Sequence, residues 1–74
     1  MEDYNNTIKQ NLLMLRKQHH CTQEELCNTI NMSQPHYRKL EHGEGNPTIG
    51  TLSRIAEYYG IYVGELLSKN DSGK

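Results

Sequence analysis

Thr22-Gln23-Glu24-Glu25-Leu26-Cys27-Asn28-Thr29-Ile30-Asn31-Met32-Ser33-Gln34-Pro35-His36-Tyr37-Arg38-Lys39-Leu40-Glu41-His42-Gly43 is the stretch that decides how this chain folds. It opens on a threonine with a glutamate three residues later. In that pairing each side chain accepts from the other's backbone amide, which satisfies two N–H groups that a first helical turn leaves orphaned. Leu26, Cys27 and Ile30 follow at helical spacing and supply an inward face. Asn31 ends the helix, because asparagine is the residue after glycine that best tolerates a left-handed conformation. A second start comes almost at once. Ser33 is a good cap, and Pro35 sits in the first turn, where its missing N–H costs little. This helix covers residues 33–42 and Gly43 stops it. Tyr37 and Leu40 face inward, leaving Gln34, His36, Arg38 and Lys39 outside.

Working outward, residues 7–18 read as a preceding helix, with Ile8, Leu12 and Leu15 on one stripe of period 3.6. Leu13 and Met14 lie off that stripe, either widening the core face or exposed as an apolar pair; the wider core is the expectation. After the Gly-Glu-Gly-Asn-Pro loop at 43–47, Thr48 caps a fourth helix with Ile49, Leu52, Ile55, Ala56 and Tyr59 inward and Gly60 at its end. Residues 61–67 read as a short fifth helix carrying Val63, Leu66 and Leu67. Residues 1–6 and 68–74 are expected to be tails. No segment alternates with period two. The expected fold is all-α, one compact five-helix domain over 7–67, with a helix-turn-helix at 22–42.

A chain of 74 residues makes one domain at most. With 34% apolar residues, five Tyr and no Phe or Trp, it can build one small core but not one that encloses a large substrate cavity. A conventional enzyme is therefore not expected, nor a cofactor or a small-molecule substrate. No run approaches the ~20 apolar residues of a membrane span, and no secretory leader pattern appears. A soluble, single-domain protein of the cytoplasm is the expectation. Cys21 and Cys27, six apart, would stand ~9 Å from each other along a helix, too far for a disulfide. His19, His20, Cys21 and Cys27 match no paired zinc framework, so two reduced, partly buried thiols and no metal are expected. The net charge of −1 is unevenly spread. Residues 7–43 carry five bases against three acids, and all four histidines; the remainder is acidic.

These residues resemble the lambda-repressor/Cro-like, or Xre, family of helix-turn-helix domains. The resemblance is carried by Arg16, Thr22-Gln23-Glu24-Glu25-Leu26-Cys27, Asn31-Met32-Ser33, Tyr37, Leu40-Glu41 and Gly43. It continues through Pro47, Leu52, Ile55-Ala56-Glu57, Gly60-Ile61 and Glu65-Leu66, without gaps from about residue 8 to 67. It implies a DNA-binding transcriptional regulator of bacterial or phage type, working on double-stranded DNA.

Site roles follow from it position by position. Arg16 and Glu41 are implied to form a partly buried ion pair that pins the recognition helix. Gln23 and Ser33 are implied to touch DNA phosphates, with His42 and Asn46 on the backbone beyond the helix. Gln34, His36, Arg38 and Lys39 match the outward positions that meet base edges or flanking phosphates. Some positions depart from the family pattern. His20 stands where a glycine is usual, so the turn after the first helix is expected to be strained or differently shaped. Tyr37 replaces a β-branched residue, and its hydroxyl needs an outlet. Pro35 gives up a donor at a position that reads bases in many relatives.

Five short helices cannot hide all of Tyr58, Tyr62, Val63 and Leu66, which points to a homodimer interface there, on an inverted-repeat operator. The competing reading is a protein-interaction module on the same fold, such as an antitoxin or an antagonist of another regulator. The weak charge and the Leu13–Met14 pair motivate it.

Overall fold

The computed structural model describes residues 4–68, and the chain within them is all-helical. The elements are α1 (Tyr4–His19), α2 (Gln23–Ile30), α3 (Gln34–Glu41), α4 (Ile49–Tyr59) and α5 (Val63–Leu67). Each cap read from the sequence forms. Thr22 Oγ1 accepts from the Glu25 amide at 3.0 Å while Glu25 Oε1 accepts from the Thr22 amide at 2.9 Å. Ser33 Oγ accepts from the His36 amide and Thr48 Oγ1 from the Thr51 amide. Asn31 ends α2 at φ 58° and Gly60 ends α4 at φ 71°.

The core is one cluster built from every helix: Ile8, Leu12 and Leu15 from α1, Leu26 and Cys27 from α2, Tyr37 and Leu40 from α3. Leu52, Ile55, Ala56 and Tyr59 from α4 and Leu66 from α5 complete it. α3 packs on α1 and α2, while α5 closes the opposite side of α1.

Several expectations need correction. α1 begins at Tyr4, so residues 4–6 are helical rather than tail; Asn5 Nδ2 donates to the Gly45 carbonyl at 3.0 Å, a tertiary tether invisible to local periodicity. Residues 1–3 and 69–74 lie outside the described residues. Ile49 is 63% exposed, because the first turn of α4 projects beyond the core that Leu52 enters. Leu13 is exposed and does not widen the core face. α5 starts at Val63, with Tyr62 as its cap and Ile61 in the connection. Leu66 is 0% exposed, an interior residue that cannot present itself to a second chain.

Asn11 is buried on the stripe that faces α5. Its amide donates to the carbonyls of Leu66 at 2.8 Å, Ser68 at 3.0 Å and Glu65 at 3.3 Å. Those carbonyls close a helix too short to satisfy them, so one polar side chain on α1 substitutes for the next turn of α5.

His20 has φ 54°, the left-handed conformation that a glycine would adopt without strain. The Cys21 amide returns to the Arg16 carbonyl at 3.2 Å, which is how this turn closes α1.

Candidate nucleic-acid interface

Helix α3 carries the candidate surface. Tyr37, Leu40 and Glu41 are buried, so at 100° per residue the outermost line runs through Pro35, Lys39 and His42. Arg38 and His36 flank it on opposite sides, both exposed, and Gln34 in the first turn is half-buried. His42 caps the C-terminus, its amide reaching the Arg38 and Lys39 carbonyls. Gly43 follows at φ 76° and turns the chain into the loop that exposes Asn46.

What holds α3 in place is Glu41, whose side chain is 3% exposed. Arg16 from α1 grips it bidentately, Nε to Oε2 at 2.5 Å and Nη2 to Oε1 at 3.0 Å. Gln23 from α2 donates its amide to Oε1 at 2.8 Å. The Tyr37 hydroxyl, one turn back on α3, donates to Oε2 at 2.6 Å. A carboxylate has about four acceptor positions, and here all four are filled. Burial pushes the Glu41 carboxyl up, but the hydrogen bonds from Arg16, Tyr37 and Gln23 outweigh it and hold it below the usual carboxylate range. Burial and the same carboxylate push the Tyr37 hydroxyl far above its ordinary value, so it remains a donor. Arg16 also donates Nη1 to the Cys21 carbonyl at 3.2 Å, tying the turn before α2 into the same network. From the other side Arg54 of α4 donates to the Ile30 and Asn31 carbonyls, closing the end of α2 where the turn begins.

The outlet needed by the Tyr37 hydroxyl is thus Glu41. Gln23, which the resemblance implied to touch a phosphate, also donates to Glu41. A carboxylate can only accept, so the NH₂ end of its amide faces Glu41, leaving one N–H and the exposed start of α2 for any other contact. Cys27 is buried, and burial raises its thiol above the ordinary range. Cys21 is half-buried with Sγ 3.4 Å from the Tyr59 hydroxyl, and both cysteines are free. Among the described residues no three of His, Cys, Asp or Glu converge as a metal site would need, and no helix is long and apolar enough to cross a membrane.

Residues 12–66 match the helix-turn-helix family. The chain belongs to the lambda-repressor-like helix-turn-helix family. Among curated relatives, two are described as the cryptic phage CTXphi transcriptional repressor RstR. One, of Vibrio cholerae, is 31% identical over 58 residues, covering 78% of this chain and 52% of the relative. The other, of the Vibrio cholerae serotype O1 El Tor strain, is 37% identical over 62 residues, covering 84% and 55%. This chain therefore spans about half the length of those two relatives. A third, the uncharacterized HTH-type transcriptional regulator y4dJ of Sinorhizobium fredii, is 33% identical over 69 residues, covering 93% of this chain and 90% of the relative. No solved structure matches the chain significantly. In this chain the Arg16–Glu41 pair is the frame, and the outer face of α3 is what the frame presents.

Proposed function

We propose that this protein is a sequence-specific, DNA-binding transcriptional regulator of bacterial or phage type, a repressor that acts as a homodimer on an inverted-repeat operator. It works by binding, not catalysis. The observation that carries the reading is α3 itself, an eight-residue helix with no exposed apolar side chain beyond Pro35, held from below by three helices' worth of polar contacts to Glu41. The repressor names of two relatives and the regulator name of the third support it.

In this reading α3 enters the major groove N-terminal end first. Gln34, His36, Arg38 and Lys39 meet base edges, while Ser33, His42, Asn46 and the start of α2 at Gln23 lie along phosphates. Pro35 offers apolar contact to a thymine methyl in place of a donor. The second copy docks through Tyr58, Tyr62 and Val63; Tyr62 is 83% exposed, a large apolar ring with no cover in the single chain.

Selection of duplexes from randomised and genomic DNA, followed by binding titration, tests the reading. A preferred site with two-fold symmetry is expected. Absence of binding even at low salt would overturn it in favour of the interaction-module reading. Sedimentation at tens of micromolar tests the dimer separately, with Tyr62→Glu expected to shift it toward monomer.

A further inference from the structure

We propose that Lys9 of α1 is a DNA phosphate ligand, delivered beside the loop that follows the recognition helix. The proposal rests on the DNA-binding reading above. Asn5, Lys9 and Arg16 occupy one stripe of α1, spaced by four and seven residues, and that stripe faces α3 and its loop. Asn5 holds the Gly45 carbonyl and Arg16 holds Glu41, at the two ends of the contact. Lys9 lies between them. A Cβ built on Gly43 would stand 3.6 Å from Lys9 Cδ and 3.9 Å from the Asn5 carbonyl oxygen, so the loop backbone runs directly over the lysine stem. The residue is half-buried through this stem. Its ammonium lies two bonds beyond that Cδ, at the end of a stem packed beside the loop that opens at Gly43.

Two ordinary roles for that ammonium are already filled or missing. It is not needed to close the end of α3. The Arg38 carbonyl accepts from the His42 amide, the Lys39 carbonyl from the Glu44 amide at 2.8 Å, and the Leu40 carbonyl from the Gly43 amide at 3.1 Å. Nor does it pair with a carboxylate among the described residues, where the ion pair found is Arg16–Glu41 and exposed Glu44 forms none with it. A long side chain with a packed stem and a cationic head that has no partner among the described residues, beside the recognition helix, fits a backbone phosphate.

The test is titration of wild type, Lys9→Gln and Lys9→Arg against the selected duplex and a mixed-sequence duplex, at salt from about 50 to about 200 mM. Loss of one phosphate contact from each subunit of the dimer flattens the slope of log affinity on log salt by about 1.8, which is about a sixtyfold loss at about 0.1 M salt. Lys9→Gln should show that loss equally on both duplexes, and Lys9→Arg should restore it. An unchanged slope in Lys9→Gln while wild type binds would overturn this proposal alone. A loss confined to the selected duplex would overturn it too, by making Lys9 a base reader. If Lys9→Gln melts lower, slopes compared where both proteins are folded still decide. Wild type that binds neither duplex would instead sink the DNA reading on which the proposal stands.

Discussion

Replacing Glu41 by alanine removes the one group that four donors share, and the cost can be worked donor by donor. Tyr37 is 0% exposed and its hydroxyl donates to Glu41 at 2.6 Å, with no second acceptor among the described residues, so it is left buried and unpaired at ~1–3 kcal/mol. The Arg16 side chain is 24% exposed and keeps the Cys21 carbonyl, so water recovers part of its loss. Gln23 is half-buried and recovers more. The expected total is therefore ~3 kcal/mol, at the low end of the range for breaking a buried pair. A domain of this size has only about 4–11 kcal/mol of stability, and its melting temperature should fall by about 12–24 °C. Thermal melting and urea titration measure this. Tyr37→Phe in the Glu41→Ala background should recover about 1–2 kcal/mol, because it removes the orphaned hydroxyl. A drop smaller than about 4 °C, or no recovery in the double variant, would refute the account of Glu41 as the shared acceptor.

Other outcomes follow from single contacts. The Glu41 carboxyl is held below its usual range, so its stabilisation is complete above the unfolded value of ~4.3 and is lost as pH falls through the lower folded value; acid titration of the melting temperature should show this loss, and Glu41→Gln should abolish that part of the dependence. His20→Gly should raise stability by about 0.5–1 kcal/mol in urea titration, since it removes a left-handed strain at an exposed side chain but frees the unfolded chain. Asn11→Ala should cost ~2 kcal/mol and speed hydrogen exchange in α5, whose terminal carbonyls lose their donor. Gln34→Ala should lose ~1–3 kcal/mol on the selected site only, whereas Gln23→Ala should weaken selected and scrambled duplexes alike and also lower the melting temperature, given its bond to Glu41.

The features legible in the sequence are those written within one helical turn. Thr22 with Glu25, Ser33, Thr48, Asn31 and Gly60 act on amides and carbonyls three to five residues away, and each does so in the structure. The Arg16–Glu41 pair spans 25 residues and no local rule reaches it; only the family resemblance pointed there, and the geometry then showed two further donors. Where periodicity alone was followed, it misled at element ends. Ile49 keeps the spacing of Leu52 and Ile55, yet a first turn projects past the core, so spacing does not imply burial there. Leu66 erred in the opposite direction. Five short helices look too few to hide all the apolar residues near the C-terminus, but α5 packs on α1 and Leu66 is fully buried. Asn11 itself had a signal, a polar residue on an apolar stripe, which is a request for buried acceptors.

The same geometry resolves why a chain of net charge −1 can be proposed to bind a polyanion. Formal charge counts Glu41 fully, but its carboxylate is buried against Arg16 and projects little field to solvent. Glu25 is turned back on the Thr22 amide at the start of α2. On the outer face of α3, by contrast, Arg38 and Lys39 are exposed and have no carboxylate partner among the described residues. Their field reaches about a Debye length, ~10 Å at 0.1 M salt; exposed Glu44, just past α3, offsets part of it, while Glu57 and Glu65 sit on other helices, α4 and α5. The potential that a phosphate would meet at α3 is thus set by which charges the fold leaves unpaired, and the sum over the sequence is a poor guide to it.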